Sequence, residues 1–256
     1  MNLVCNSALA DHLHSSSQKT RVISEAWFGR EGYCLHCSSN RLQPTAAGTV
    51  ARDFVCPVCG QPYELKSGAG KSGLRIVDGA YAGMMGRIRE GRAPNLLLLR
   101  YKPGWVVTDV TALHSVFLTP AVVEKRPPLA ATARRAGWVG CNLRLDRIPP
   151  EGRIPLVLDG VAMDKGRARR MYAKSERLGE LKPDQRGWTA LVLANIRKLG
   201  KKEFTLAELY AYEEAMHAAY PENSHVQDKI RQQLQVLRDL GYLEFSERGR
   251  YLVRQG

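Results

Sequence analysis

The stretch from Tyr33 to Lys66 constrains this chain more than any other, because two chemical patterns are threaded through each other within it. Cys34-Leu35-His36-Cys37 and Cys56-Pro57-Val58-Cys59 are separated by eighteen residues. The spacing falls within the range of four-cysteine zinc sites, where each CxxC turn presents two sulfurs and two turns complete a tetrahedron. A redox CxxC usually stands alone at a helix start, and disulfides do not suit a reducing compartment. Cys34, Cys37, Cys56 and Cys59 therefore read as ligands of a structural Zn²⁺ with no open position for catalysis. His36 reads as a bystander between ligands, and Cys5 and Cys141 as ordinary thiols.

The second pattern is Asp53 followed by Glu64-Leu65-Lys66. Residues 64 and 66 share one face of a strand, while Leu65 points the other way, towards a core. Val50 to Cys56 also alternates like a strand, so Asp53 and Glu64 are expected to meet at the ends of paired strands, with the zinc knuckle in the connection between them. Two such carboxylates suit Mg²⁺, which prefers oxygen ligands and keeps several waters. Lys66 beside them orients or activates an attacking water and offsets charge developing on a phosphate. Alone, this pattern is a common solvated strand face. It gains weight from the zinc knuckle, the basic chain and the C-terminal module described below. Glu25, on an expected helix from Ser17 to Arg30 with Val22, Ile23, Ala26 and Trp27 on one side, reads as a solvated helix glutamate rather than a further metal ligand.

Charge narrows the partner. With 38 Lys and Arg against 25 Asp and Glu, the 256-residue chain carries +13, a balance that suits nucleic acid. No stretch is apolar for long enough to span a bilayer, and the N-terminus lacks the basic start and apolar run of a signal peptide. A cytoplasmic protein without a membrane partner is expected.

The rest of the first two thirds reads as α/β. Ser67 to Gly73 imitates the end of a phosphate-binding loop, but Leu65 stands where that pattern needs glycine, so the segment reads as a loop beside the site. Asp78 to Glu90 has helical spacing through Tyr81, Met84, Met85 and Ile88. Asn95 to Tyr101 suits a buried strand, Trp105 to Val110 a second and Arg153 to Leu158 a late one, which together suit a mixed sheet flanked by helices. Between them, Arg134, Arg135 and Trp138 stand among small residues and glycines. They fit either a loop touching DNA or a core tryptophan with solvated arginines. Residues 160–185 are basic and poor in apolar residues, as a linker with some helix would be.

The C-terminal third reads as three helices and a hairpin. Trp188 to Leu199 repeats at helical spacing and Gly200 ends it. Thr205 and Glu208 form a capping box, stapled by Phe204 and Leu209, on a helix expected to run to about Ala219. Ser224 and Gln227 predict a second box. The third helix buries Val226, Ile230, Leu234 and Leu237, and presents Arg231, Gln232, Gln235 and Arg238. Gly241 stops it, and a tight hairpin follows. This is a winged helix, and arginine and glutamine are the side chains that read guanine and adenine edges in a major groove.

Several long segments resemble the DpnI-like methyl-directed restriction endonucleases. They are Ser17-Gln18-Lys19, the cysteine pairs with Asp53, Glu64 and Lys66, Asp78-Gly79-Ala80-Tyr81, Thr132 to Trp138, and Lys229 to Gln235. The chain departs from that pattern in the 67–77 loop and the 160–182 segment. The resemblance implies a PD-(D/E)xK nuclease domain interrupted by a zinc site, over residues 1–182, and a winged-helix domain over 183–256. Arg52 stands where the conventional proline precedes the first acid. The resemblance further implies a Type II (Type IIM) enzyme that cuts double-stranded DNA at GATC containing N6-methyladenine. Cleavage would depend on Mg²⁺ and leave blunt ends, and both domains would recognise the methylated sequence.

An adenine methyl projects into the major groove, and the two adenines of GATC lie on adjacent base pairs. One winged helix therefore suffices to sense both strands, which suits a monomer. Burying one methyl stabilises by only about 0.8 kcal/mol, so sharp discrimination needs two methyls, two readers or a clash with the hydration of unmethylated DNA. Two other functions fit the residues: a zinc-ribbon and winged-helix DNA-binding regulator without nuclease activity, and a structure-specific repair nuclease indifferent to methylation.

Overall fold

The computed structural model describes residues 1–46, 49, 52–71 and 73–254. In chain order its elements are α1 (Ser16–Glu31), β1 (Gln43–Pro44), β2 (Phe54–Val55), β3 (Pro62–Ala69), β4 (Arg75–Ala80), α2 (Tyr81–Arg89), β5 (Asn95–Lys102) and β6 (Val106–Leu113). Then come β7 (Val123–Lys125), β8 (Gly140–Arg144), β9 (Arg153–Leu158), β10 (Val161–Ala162), α3 (Lys165–Lys174) and α4 (Pro183–Leu199). The chain ends with β11 (Glu203–Thr205), α5 (Leu206–Tyr210), α6 (Glu213–His217), α7 (Val226–Asp239), β12 (Leu243–Glu247) and β13 (Arg250–Val253). These fall into two compact units, each assembled from separate stretches: Met1–Gly73, Pro94–Ser115 and Arg153–Ala173 in one, Leu74–Ala93, Val116–Gly152 and Lys174–Gly256 in the other.

The first unit is built on a mixed sheet of order β1-β2-β3-β5-β6-β9-β10. Among the described residues, only the β3–β5 pair is parallel, from Tyr63 opposite Asn95 to Ala69 opposite Tyr101. A parallel pair needs a crossover, and here the intervening residues 74–93 belong to the second unit. Leu96 to Leu99 are all buried, as a continuous apolar run should be. Helix α1 buries Ile23, Trp27 and Phe28, with Phe28 packed on Phe54 at a ring distance of 5.3 Å. Ala26, expected on that face, is exposed, and Ser24 is buried instead. Its hydroxyl is satisfied by the Thr20 carbonyl at 2.6 Å and lies 2.8 Å from the Ser67 hydroxyl, so a polar residue is tolerated there.

Pairing in space overrode several local signals. Ser67, Gly68 and Ala69, expected in a loop, continue β3 against β5. The strand expected over Val50 to Cys56 is regular only at Phe54 and Val55; Val50 and Ala51 lie outside the described residues, as does Ser72 of the loop. Residues 160–185 are not a linker: β10 pairs with β9, and α3 buries Ala168 and Tyr172. Its arginines hid this in the sequence, because only Ala168 and the large Tyr172 are buried and they make no apolar stripe.

In the second unit, β4, β8 and β7 form an antiparallel sheet. Asp78 to Ala80, expected at the start of a helix, complete β4 by pairing with β8, and α2 begins only at Tyr81. The winged helix follows. Helix α4 is buried along most of its length and ends at Gly200, whose φ of 65° is the left-handed cap only glycine adopts freely. Gly187 lets α4 pass Tyr220 closely: a β-carbon there would meet the Tyr220 hydroxyl at 2.2 Å. The Thr205–Glu208 capping box forms as expected, but the helix after it breaks into α5 and α6. The expected Ser224–Gln227 box does not form. His225 is the N-cap residue of α7, its N–H is held by Asn223 Oδ1, and Gln227 donates to Glu213 instead. Helix α7 buries Val226, Ile230, Leu234 and Leu237, together with Gln233, which contacts the Thr189 hydroxyl at 2.7 Å. Strands β11, β13 and β12 form the wing.

Candidate metal and nucleic-acid sites

The four knuckle cysteines converge: their sulfurs all lie within 4.8 Å of one another. Cys34 Sγ is 3.5 Å from Cys59 Sγ, and Cys37 Sγ is 3.6 Å from Cys56 Sγ. Among the described residues, no carboxylate or imidazole joins this group. Four soft sulfurs at tetrahedral spacing suit Zn²⁺ and close its coordination sphere. Burial raises the Cys34 and Cys59 thiols, whereas at Cys56 burial is opposed by the N–H groups of Cys59 and Val58 and by the neighbouring thiols, which bring the thiol down. Arg169 on α3 clamps the first turn from outside, donating to the Cys34 carbonyl at 3.0 Å and the Ser39 carbonyl at 2.8 Å.

The acidic pattern also closes up. Asp53 sits just before β2, and its N–H donates to the Tyr63 carbonyl at 2.9 Å. Its carboxylate accepts the N–H of Leu65 at 2.7 Å. Asp53 is thus tied to the residues on either side of Glu64. Leu65 packs against the core, as its alternation requires. Glu64 and Lys66 share the opposite strand face, with Lys66 Nζ on Glu64 Oε1 at 2.5 Å. Glu64 Oε2 is buried with no hydrogen-bond partner among the described residues. A buried carboxylate oxygen without a donor is costly unless a cation satisfies it. This oxygen and the Asp53 carboxylate are hard donors of the kind Mg²⁺ takes.

A cleft of about 380 Å³ opens beside Asp53, lined among others by Arg21, Glu25, Thr45, Thr49 and Arg52. Glu25 is paired with Arg21 at 2.7 Å, four residues away on α1. The sequence singled out Glu25 but set it aside as solvated; Arg21 and Thr45 were missed. An i,i+4 charge pair looks alike wherever it faces, so only the path of β1 and β2 shows that this one lines a cleft.

The DNA-reading candidates lie in the second unit, on two elements. Arg134 and Arg135 are exposed, and Trp138 is half-buried with the Arg135 guanidinium 4.8 Å above its ring. Trp138 is therefore neither a core tryptophan nor a free ring. On α7, Arg231, Gln232, Gln235 and Arg238 are all exposed. Arg231 is held by the Tyr210 hydroxyl at 2.7 Å and by Asp228. Gln232 Oε1 takes Lys229 Nζ at 2.9 Å, and Arg238 stacks over Phe245 of the wing at 4.8 Å. These contacts hold long side chains extended along the helix surface, which lowers the entropy lost on binding.

A mixed α/β unit with a four-cysteine cluster, in a chain that ends in a winged helix, defines a two-part DNA-directed protein. Residues 1–180 match the model of DpnI, the Dam-replacing family, and residues 184–252 match that of DpnI_C, the Dam-replacing HTH domain. The chain belongs to this family, the DpnI-like methyl-directed restriction enzymes with a DNA-binding helix-turn-helix domain. None of the described helices is long and apolar enough to cross a membrane.

Proposed function

We propose that this protein is a Type IIM restriction endonuclease that hydrolyses double-stranded DNA at GATC containing N6-methyladenine, with Mg²⁺ as catalytic cofactor and blunt-ended products. The observation that carries the reading is the local geometry around Glu64. Glu64 stands between the two residues to which Asp53 is anchored, its Oε2 is buried with no hydrogen-bond partner among the described residues, and Lys66 sits on its other oxygen.

Asp53 and Glu64 would hold the Mg²⁺, which when bound polarises the phosphate and lowers the pKa of a bound water. Asp53 is kept in place by the backbone on both sides of Glu64, so the carboxylate spacing is set before metal arrives. Lys66 contributes a fixed positive charge where the pentavalent phosphate gains negative charge. Cys34, Cys37, Cys56 and Cys59 hold a structural Zn²⁺ and take no part in the chemistry.

Residues 1–182 form the nuclease module and 183–256 the reading module. Arg231, Gln232, Gln235 and Arg238 face the major groove, where the adenine methyls project. Arg134, Arg135 and Trp138 give a second contact to DNA, by phosphate pairing and by an aromatic face. The protein acts as a monomer in the cytoplasm.

The test is digestion of one plasmid prepared with and without adenine methylation at GATC, in Mg²⁺ buffer. Cutting of the methylated form alone, to blunt ends, is expected. Cutting of both forms would leave a nuclease without methyl reading, and tight binding without cutting would leave a DNA-binding regulator.

A further inference from the structure

One residue joins the cysteine cluster to the carboxylates. Tyr63 is fully buried in β3, directly before Glu64. Its carbonyl takes the N–H of Asp53. Its phenol reaches the first cysteine turn: the N–H of Leu35 donates to the phenol oxygen at 3.0 Å, and Cys34 Sγ lies 3.4 Å from that oxygen. With Cys34 as the thiolate a metal takes, the polarity of this contact follows. An amide N–H only donates, so the phenol accepts from Leu35, and its single proton is left for the sulfur, which as a thiolate only accepts. Groups that hydrogen-bond to metal ligands orient them and tune their hold on the metal.

We propose that Tyr63 is a positioning residue through which the zinc knuckle sets the geometry of Asp53 and Glu64. The inference rests on the nuclease reading for what those carboxylates do. The path is short and stiff. The phenol pins the Cys34 turn, the same residue's carbonyl pins Asp53, and Glu64 follows one peptide later. Loosening the turn frees this end of β3 and the two bonds that bracket Glu64. The knuckle thereby becomes a condition on cleavage as well as a staple of the fold.

The test uses the full chain carrying Tyr63→Phe, with Tyr33→Phe as control. Tyr33 neighbours Cys34 and is equally buried, but its hydroxyl has no hydrogen-bond partner among the described residues. In Co²⁺-substituted protein, Tyr63→Phe is expected to shift the thiolate charge-transfer band. It is also expected to release metal to a chelator about tenfold faster, within the range seen when such outer contacts are removed. The Mg²⁺ needed for half-maximal cleavage should rise severalfold. Tyr33→Phe should move none of these. An unshifted band and unchanged release in folded Tyr63→Phe protein would overturn the link to the knuckle. A shifted band with unchanged Mg²⁺ dependence would overturn the link to the carboxylates. If the wild-type protein does not cut DNA, the nuclease reading fails separately. Mn²⁺ binding followed by electron paramagnetic resonance then decides the coupling, which stands only if Tyr63→Phe weakens it. Should Tyr63→Phe not fold, Arg169→Lys loosens the same turn from its half-exposed side, and the coupling requires the same rise in Mg²⁺ demand.

Discussion

Glu64 and Gln235 are both polar side chains assigned to DNA chemistry, yet their surroundings are opposite. The Glu64 side chain is 12% exposed, one of its oxygens has no donor among the described residues, and its neighbours in sequence are tied to Asp53 across the sheet. Gln235 stands on the open face of α7, held only by the helix beneath it. The first belongs to a constellation whose members are far apart in sequence and desolvated together. The second belongs to a row set by one helical period. Removing a member of the buried set leaves other buried groups unsatisfied, whereas removing an exposed reader lets water take its place. The two regions should therefore respond to mutation on different scales.

The largest effect is expected at the cysteines. Metal analysis should find about one zinc per chain, and a Cys37→Ser chain stripped of metal should lose the fold of the first unit. Structural zinc contributes on the order of 10 kcal/mol in small domains, more than most whole domains can spare. Thermal melting with and without chelator measures this; a folded, fully active, zinc-free protein would break the comparison at its root. Next is Asp53→Ala, which should lower Mg²⁺-dependent cleavage by roughly a thousandfold or more, about 4 kcal/mol or more of transition-state stabilisation. Its binding to methylated DNA, followed by gel shift, should persist, and undiminished cutting by the pure variant would remove Asp53 from the site.

Arg231→Ala and Gln235→Ala test the exposed side. Each should weaken specific binding by about 1–3 kcal/mol if it contacts a base edge, and leave the melting temperature unaltered. Unchanged affinity would take that residue off the interface. Smallest is Thr205→Ala, which removes the N-cap of α5 and should cost about 1 kcal/mol of stability by denaturant titration, with cleavage per folded molecule retained. Its partner adds a pH signature. The Lys201 hydrogen bond first, then those from Thr205, hold Glu208 at about 2, below its ordinary 4.5. A depressed acid stabilises fully above its unfolded value, so this contribution should be present above pH 4.5 and fade as the pH falls towards 2. A Thr205→Ala chain should show less of that acid sensitivity.

How much was legible follows the same division. The cysteine cluster, the Glu64–Lys66 pair on one strand face, the α7 stripe and the Thr205–Glu208 box were all readable, because each depends on spacing within one or two local turns. Where the sequence misled about strands, a distant partner intervened. Asp78 to Ala80 look helical until β8 pairs with them, and Ser67 to Ala69 look like a loop until β5 lies alongside. The second capping box was lost to a local competitor, because Asn223, one residue before Ser224, takes the His225 N–H while Gln227 turns to Glu213. Basic residues 165–174 looked solvated because the two side chains that seat α3, Ala168 and Tyr172, are too few to show as a stripe.

The residue types and their spacing were enough to predict which four cysteines converge, which acid pairs with Lys66 on one strand face, and which face of α7 is exposed. Local geometry makes these, and it is written in intervals of two, three and four residues. Folding alone settled that Asp53 brackets Glu64, that Arg21 and Glu25 line the cleft beside it, and that Tyr63 links the knuckle to both carboxylates. The hydrogen bonds among them join residues 10 to 29 positions apart, brought together by strand register and by the fold of the first cysteine turn. Such long-range contacts are set by what else must be buried, and no short interval in the sequence records that.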